Sequence, residues 1–379
     1  MPITKPIHKV IALVSPGLLI RDGITAHSIN LVRGWLETGH QVVVWNPGRF
    51  RLEQEAFFDS LSVFDRYLSQ GHLAVRGIRQ TVPDFDVLVI QYAISTYWLR
   101  TFWVHMWLRN VTKSNVVICL HEPAREINLL GKIGKAFYRD VSRLGQELVV
   151  FSKAAETVMA AITRTPVTVA PLAVPSKKPS SGSQLTAPSF LMLGYYLKDK
   201  GFELGLKSYI DTLVKTAVPI NLSVIVSPRQ RLGSSRIFSK RDQKQFEEFE
   251  ARIKDAQRSH PGRIKVFGFL SDSEMENLIS SSDYLVMPYL DITNSGVAVT
   301  AKAHGIPVIA SDLPPLIEAF GNTGIYFKAG DSRALSEALE AVVRAPNWQL
   351  EREQRAKEML AMGRSQPGSK NALLIIDAE

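Results

Sequence analysis

Residues 284–318 read YLVMPYLDITNSGVAVTAKAHGIPVIASDLPPLIE, and this stretch decides the fold. Tyr284–Met287 is a short apolar run closed by Pro288, as a buried strand would be. Ser295-Gly296-Val297 opens a helix through His304, and Gly305-Ile306-Pro307 stops it, since glycine and proline end helices. Val308–Ala310 is a second apolar run. Strand, helix and strand in succession predict a parallel β-α-β unit whose sheet is covered on both faces. A helix N-terminus directly after a strand also offers free N–H groups and a partial positive charge, a natural seat for phosphate. A side-chain cap by Asn294 or Ser295 is compatible with that use.

The same grammar runs outward in both directions. Upstream in the second half, apolar strands fall at Ser189–Leu193, Asn221–Val226 and Ile264–Phe267, and downstream at Gly324–Phe327. The first half repeats it at Lys9–Val14, Gln41–Trp45, Val87–Gln91, Val116–Leu120, Glu147–Phe151 and Val167–Pro171. Helical patterns lie between them at Ala26–Glu37, Ser95–Arg109 and Leu130–Leu144. Two doubly wound α/β domains follow, with ligands expected beyond the carboxyl ends of the strands. The stretch 174–189, VPSKKPSSGSQLTAPS, has the composition of a linker. Residues 228–262 form a polar, basic insertion with a helix around Lys240–Arg258. Another helix is expected over 349–363, and the tail 366–379 shows no assignable pattern.

Composition agrees with two globular domains. The chain has 379 residues, 45% hydrophobic and 21% charged, which excludes disorder or coiled coil as a whole-chain description. Its one cysteine, Cys119, cannot form an intrachain disulfide, so a reducing, cytoplasmic compartment is expected. The formal charge of +9 favours an anionic partner. No nucleic-acid motif accompanies it, so nucleic acid is not expected as that partner. Neither an export signal nor an apolar stretch long enough to span a bilayer is apparent.

Four segments, taken in order, resemble the GT-B glycosyltransferases, and within them the retaining glycosyltransferase family 4 (glycosyl transferases group 1). The first is Asp22-Gly23-Ile24-Thr25-Ala26-His27 with Gly39-His40-Gln41-Val42. It is similar to the family's glycine loop and second strand. The second, Leu120-His121-Glu122-Pro123, resembles the segment that ends a strand of the N-terminal domain. The third runs from Leu193-Gly194 through Lys198-Asp199-Lys200-Gly201, with Lys198 where the family carries arginine. The fourth is the stretch quoted first, including Leu316-Ile317-Glu318.

The resemblance implies two Rossmann-like domains facing a central cleft. Residues 1–178 would form the acceptor side and residues 188–348 the nucleotide-sugar side, with a helix over 349–365 packing back on the first domain. The implied reaction moves a sugar from a nucleotide-sugar donor to an acceptor hydroxyl with retention, in polysaccharide or glycolipid synthesis. His121, Lys198 and Lys200 are the implied catalytic residues. Lysines fixed beside a leaving diphosphate stabilise the charge that develops as the glycosidic bond breaks, though lysine lacks the two-pronged grip of arginine. Gly23, Gly194, Ser295, Gly296, Val297 and Thr300 would bind the donor, with Glu122 and Glu318 as acceptor-side or supporting groups. No cofactor and no metal are called for, because Lys198, Lys200 and a helix N-terminus can neutralise the diphosphate. Alignment on Gly305 puts Ile292 and Thr300 where many members carry two glutamates, and Ile292 cannot bind a sugar hydroxyl. The alternative readings are a nucleotide-sugar epimerase of similar fold and, on the strength of Ile292, Thr300 and Lys198, a non-catalytic GT-B-like partner protein.

The charge has a second candidate role. Leu130, Ile133, Phe137, Val141 and Leu144 recur on one side of a helix, with Lys132, Lys135, Arg139 and Arg143 on a neighbouring stripe. A basic amphipathic helix can lie on an anionic membrane, which would suit a lipid-linked or saccharide acceptor at the inner face. The aromatics Tyr97, Trp98, Phe102, Trp103 and Trp107, beside Arg100 and Arg109, suit an interfacial anchor, an acceptor pocket or a core.

Overall fold

A computed structural model describes residues 9–15, 23–45, 85–94, 115–183, 185–228, 236–268 and 270–376. The chain divides into two compact units: residues 1–175, 293–296 and 366–379, and residues 176–292 and 297–365. The helix expected over Ser95–Arg109, with its aromatics, lies outside the described residues, as does Asp22.

In the first unit the chain runs β1 (Val10–Val14), α1 (Gly23–Glu37), β2 (Gln41–Trp45), β3 (Val87–Tyr92), β4 (Asn115–Leu120), α2 (Pro123–Ser142), β5 (Glu147–Val150), α3 (Lys153–Ala160) and β6 (Val167–Val169). The second unit follows with β7 (Ser189–Tyr196), α4 (Phe202–Thr216), β8 (Asn221–Pro228), α5 (Arg236–Ser259), β9 (Ile264–Phe267), α6 (Asp272–Ser280) and β10 (Tyr284–Met287). It continues with α7 (Gly296–His304), β11 (Val308–Ser311), α8 (Pro314–Phe320), β12 (Ile325–Phe327), α9 (Ser332–Arg344) and α10 (Trp348–Arg364). A last helix, α11 (Gly368–Ile376), belongs to the first unit.

Each unit holds a six-stranded parallel sheet, ordered β2-β1-β3-β4-β5-β6 in the first and β12-β11-β10-β7-β8-β9 in the second. Both orders reverse direction once, between β1 and β3 and between β10 and β7. At such a switch point the loops after the two strands diverge to opposite faces and leave a crevice at the carboxyl edge. The strands are almost wholly apolar because helices cover both faces. Every residue of β3, β5, β10 and β11 is buried. This is the two-sheet α/β architecture expected of the GT-B fold.

Three expectations are corrected. The helix expected over 349–365 to return to the first domain packs instead in the second unit. There Met359 is fully buried, and a Cβ on Gly363 would meet the Lys302 carbonyl oxygen at 2.7 Å. The tail supplies the returning helix: Trp35 Nε1 donates to the Ala372 carbonyl at 2.7 Å, Lys9 Nζ donates to that of Ile376, and Ala372, Ile375 and Ile376 are core residues of the first unit.

The linker-like segment is not a free tether. Asp283 accepts hydrogen bonds from the Ser183 backbone and hydroxyl and from the Ser189 backbone and hydroxyl, while the Arg352 guanidinium donates to Ser180. Gly182 lets the segment lie close over this buried pair, whose nearest charged atoms are 3.9 Å apart, since a Cβ there would meet Asp283 Oδ1 at 2.7 Å.

The basic helix departs from its expected face. Gly131, at φ 56° and ψ −127°, breaks α2 in two. The turn at the break rotates the apolar stripe, so Ile133 is 63% exposed beside Leu129 at 79%, while Tyr138 and Val141 are fully buried. Lys132, Lys135, Arg139 and Arg143 stay exposed.

Candidate active site

In the second unit the switch point lies between β7 and β10, and the third motif occupies it. After β7 the chain makes one tight turn, Lys198–Lys200, ended by Gly201 in the left-handed conformation at φ 64°. No other residue fits there: a Cβ on Gly201 would overlap the Pro288 carbonyl oxygen, just past the end of β10. The Leu290 N–H donates to the Asp199 carbonyl at 2.8 Å and ties the two loops together. Lys200 Nζ sits 3.9 Å from the centroid of the Tyr289 ring, a cation–π contact that fixes the ammonium in place. Lys198 is exposed. Tyr289 is 2% exposed, and its buried hydroxyl has no hydrogen-bond partner among the described residues.

Gly194, within β7, has φ 142°, a conformation that favours glycine. A Cβ there would touch Val297 Cγ2 at 3.9 Å, so the first turn of α7 lies against β7. The second unit thus brings together Lys198, Lys200, Gly194 and Val297, the parts expected to hold a diphosphate. Thr300 lies half-buried one turn along α7. Ile292 is 9% exposed and packs in the apolar core, so no carboxylate stands in its place. Glu318 is exposed on α8, and its charge partly offsets the burial that lowers the Lys302 ammonium to about 8.

In the first unit the carboxyl ends of β3 and β4 carry the second motif. His121, 3% exposed, directly follows β4, and its Nε2 lies 2.6 Å from Gln91 Oε1 on β3. Its ring packs on Phe151 at 4.7 Å and against His27 of α1 at 5.6 Å between centroids. Burial, and then the neighbouring His27, hold the His121 imidazole well below its usual pKa, so it is neutral. Burial lowers His27 to about 3, and neither of its ring nitrogens has a hydrogen-bond partner among the described residues.

The segment 293–296 groups with this unit: Asn294 Nδ2 donates to the His121 carbonyl at 2.6 Å, and a Cβ on Gly296 would lie 3.8 Å from Gly23 Cα. Ser295 is buried and Gly296 is the exposed first residue of α7. Glu122 stands at the N-cap of α2 without a side-chain cap bond and pairs with Arg125 at 3.4 Å.

Gln91, His27, Asn294 and Tyr289 were not singled out as site residues from sequence. His27 and Tyr289 lie inside quoted motifs, and a buried polar side chain beside a strand end was the available signal. The chain also contains one Asp-x-Asp triplet, Asp84-Phe85-Asp86. Asp86 Oδ2 accepts a hydrogen bond from the Val10 N–H at 2.7 Å, at the amino-terminal edge of the sheet and away from the motifs. Among the described residues no group of three or more His, Cys, Asp or Glu side chains could hold a metal ion.

Two doubly wound parallel sheets, each with its motifs at the carboxyl edge of its switch point, define an α/β protein of the GT-B class. Residues 188–345 match the family model described as glycosyl transferases group 1. Solved structures extend the likeness in fold to almost the entire chain. Sucrose-phosphate synthase from Thermosynechococcus elongatus has a TM-score of 0.71 at 15% identity, covering 98% of both chains. HepE from Anabaena in complex with UDP-glucose has 0.75 at 11%, covering 98% of this chain and 99% of that one. A UDP-forming α,α-trehalose-phosphate synthase from Burkholderia xenovorans has 0.70 at 12%, covering 98% of both. No curated protein matches the sequence.

Proposed function

We propose that the protein is a glycosyltransferase that moves a sugar from a uridine-diphosphate sugar to an acceptor hydroxyl. The observation that carries this reading is the β7–β10 switch point: Gly201 locked under Pro288, Lys200 seated on Tyr289, and the start of α7 against Gly194. Cationic groups and the positive end of a helix meet there, as a departing diphosphate requires. The family match over the same residues supports it, as do structural neighbours of which one is in complex with UDP-glucose and another is a UDP-forming synthase. In the reaction the anomeric carbon exchanges its phosphate oxygen for the acceptor oxygen, and the acceptor's proton leaves with the diphosphate. Retention of configuration, a hexosyl donor and independence of metal are parts of this proposal.

The acceptor is a saccharide or a lipid-linked saccharide. Exposed Leu129 and Ile133, flanked by Lys132, Lys135 and Arg139, support docking of α2 on an anionic membrane, with the protein at its cytoplasmic face. Among the described residues no helix is long and apolar enough to cross a membrane. Buried Ile292 favours one rival, a non-catalytic protein of the same fold.

A panel of nucleotide sugars tested by thermal shift decides between them. A ligand at a hundred times its Kd stabilises the native state by about 2.7 kcal/mol. A UDP-sugar should raise the melting temperature, with the shift lost in Lys200→Ala, and NMR of the product should show the retained anomer. No shift across the panel would refute sugar transfer in favour of the non-catalytic reading. Turnover of donor without any acceptor would make it an epimerase.

A further inference from the structure

We infer that Gln91 is a positioning residue that pins His121 as the Nε2–H tautomer, so the imidazole meets a ligand hydroxyl as a hydrogen-bond acceptor through Nδ1. The inference deepens the donor-site reading above and rests on it only for the identity of the ligand.

The argument starts from the sheet. Gln91 and Cys119 are register partners on β3 and β4, and His121 comes two residues after Cys119. The glutamine side chain is fully buried and reaches across to His121. Its Oε1 lies 2.6 Å from His121 Nε2, and an amide oxygen can only accept, so the proton of that bond sits on Nε2.

Nothing around the ring competes for this arrangement. His27 and Phe151 present ring edges and faces, and Nδ1 of His121 has no hydrogen bond among the described residues. The Asn294 amide is engaged with the His121 backbone carbonyl and holds the residue without touching the ring nitrogens. A neutral imidazole carries one proton, and with that proton on Nε2 the Nδ1 lone pair is the group left to serve a ligand. The adjacent buried His27 adds no charge that could recruit a second proton.

The test reads the tautomer directly. Full-length protein labelled with ¹⁵N-histidine is examined by long-range ¹H–¹⁵N correlation, with His121→Phe to assign the signal. The expected pattern is a protonated, pyrrole-like Nε2 and a pyridine-like Nδ1. Gln91→Met should turn this into a mixture of tautomers and lower kcat/KM for UDP-glucose roughly three- to tenfold, the worth of one neutral hydrogen bond. Gln91→Glu, whose carboxylate can only accept, should restore a single Nε2–H form, a rescue that a purely structural role would not give. If Gln91→Met does not fold, Gln91→Asn supplies the same comparison. A protonated Nδ1 in the unaltered protein, or a tautomer indifferent to substitution at 91, would overturn the inference. Should UDP-glucose fail to bind the unaltered protein, the donor reading falls, and the spectrum alone still decides the role of Gln91.

Discussion

Replacing Gly201 with alanine tests whether the β7–β10 switch point is built as one piece. Two costs add at this residue. The left-handed backbone at φ 64° disfavours any residue with a Cβ by about 1–2 kcal/mol. The new methyl would also overlap the Pro288 carbonyl oxygen and lie 2.8 Å from its carbon, against the 3.4 Å where ordinary contact begins. Both are backbone atoms, so neither can swing aside, and overpacking of this kind costs about 1–3 kcal/mol. The expected destabilisation is about 2–5 kcal/mol.

Gly262 supplies the control. It has a similar φ of 75° in the same unit, but a Cβ there meets nothing within 4 Å. Gly262→Ala should therefore cost only the backbone strain, about 1–2 kcal/mol. Denaturant unfolding of both variants isolates the contact. Titration with UDP-glucose then reads the function, since moving Pro288 displaces Tyr289 and the turn holding Lys198 and Lys200. Donor affinity should fall at least about tenfold in Gly201→Ala, equivalent to about 1.4 kcal/mol, and stay unchanged in Gly262→Ala. Equal stability and equal affinity in the two variants would refute the argument.

Other perturbations address separate parts of the molecule. Tyr289→Leu removes the ring under Lys200 and should weaken UDP-glucose binding by about 0.5–1 kcal/mol, whereas Tyr289→Phe keeps the ring and should bind as the unaltered protein does; calorimetry separates them. Asp283→Ala leaves the buried Arg352 guanidinium without its counter-charge and four serine donors without an acceptor. It should lower unfolding free energy by about 3–5 kcal/mol in denaturant. His27 is neutral when folded down to about pH 3 but takes a proton near 6.5 once unfolded, so the unfolded chain binds more protons between those values. Stability accordingly falls as pH drops through that window, by on the order of 4 kcal/mol from this residue, and His27→Leu should shift the acid-unfolding midpoint downward.

The fold was legible because its signal is local. Apolar strands such as Val116–Leu120 and Tyr284–Met287, spaced by helices with glycine stops, identify a parallel sheet wherever they occur, and strand ends drifted by only a few residues. The failures came where a longer-range contact decided the outcome. Serine, glycine and lysine in 174–189 have the composition of a tether, and only the buried Asp283 and Arg352, distant in sequence, turn the segment into a strap. The tail has apolar residues but no stop or cap signal, and its helix exists because Trp35 and the first unit's core receive it. In α2 the glycine at 131 is a local signal that the periodic reading passed over, and one left-handed residue was enough to turn Ile133 outward.

The candidate site divides along the same line. Residues that approach a ligand through the backbone or through a charge in a short loop, such as Gly201 and Lys200, announce themselves by spacing, because the tight turn itself demands glycine and the loop is short. His121 was visible as a residue at a strand end, but its chemistry was not. Whether an imidazole there is charged, and which nitrogen bears its proton, depends on Gln91 from the adjacent strand and His27 from the first helix. Neither of these occupies the histidine's own motif. Strand order brings them together, and burial, which no single segment encodes, makes the imidazole neutral. A motif can therefore specify which side chain faces a substrate while the sheet specifies its protonation state, and substitutions far from the motif in sequence, at Gln91 above all, should alter the reaction without altering any residue that the motif contains.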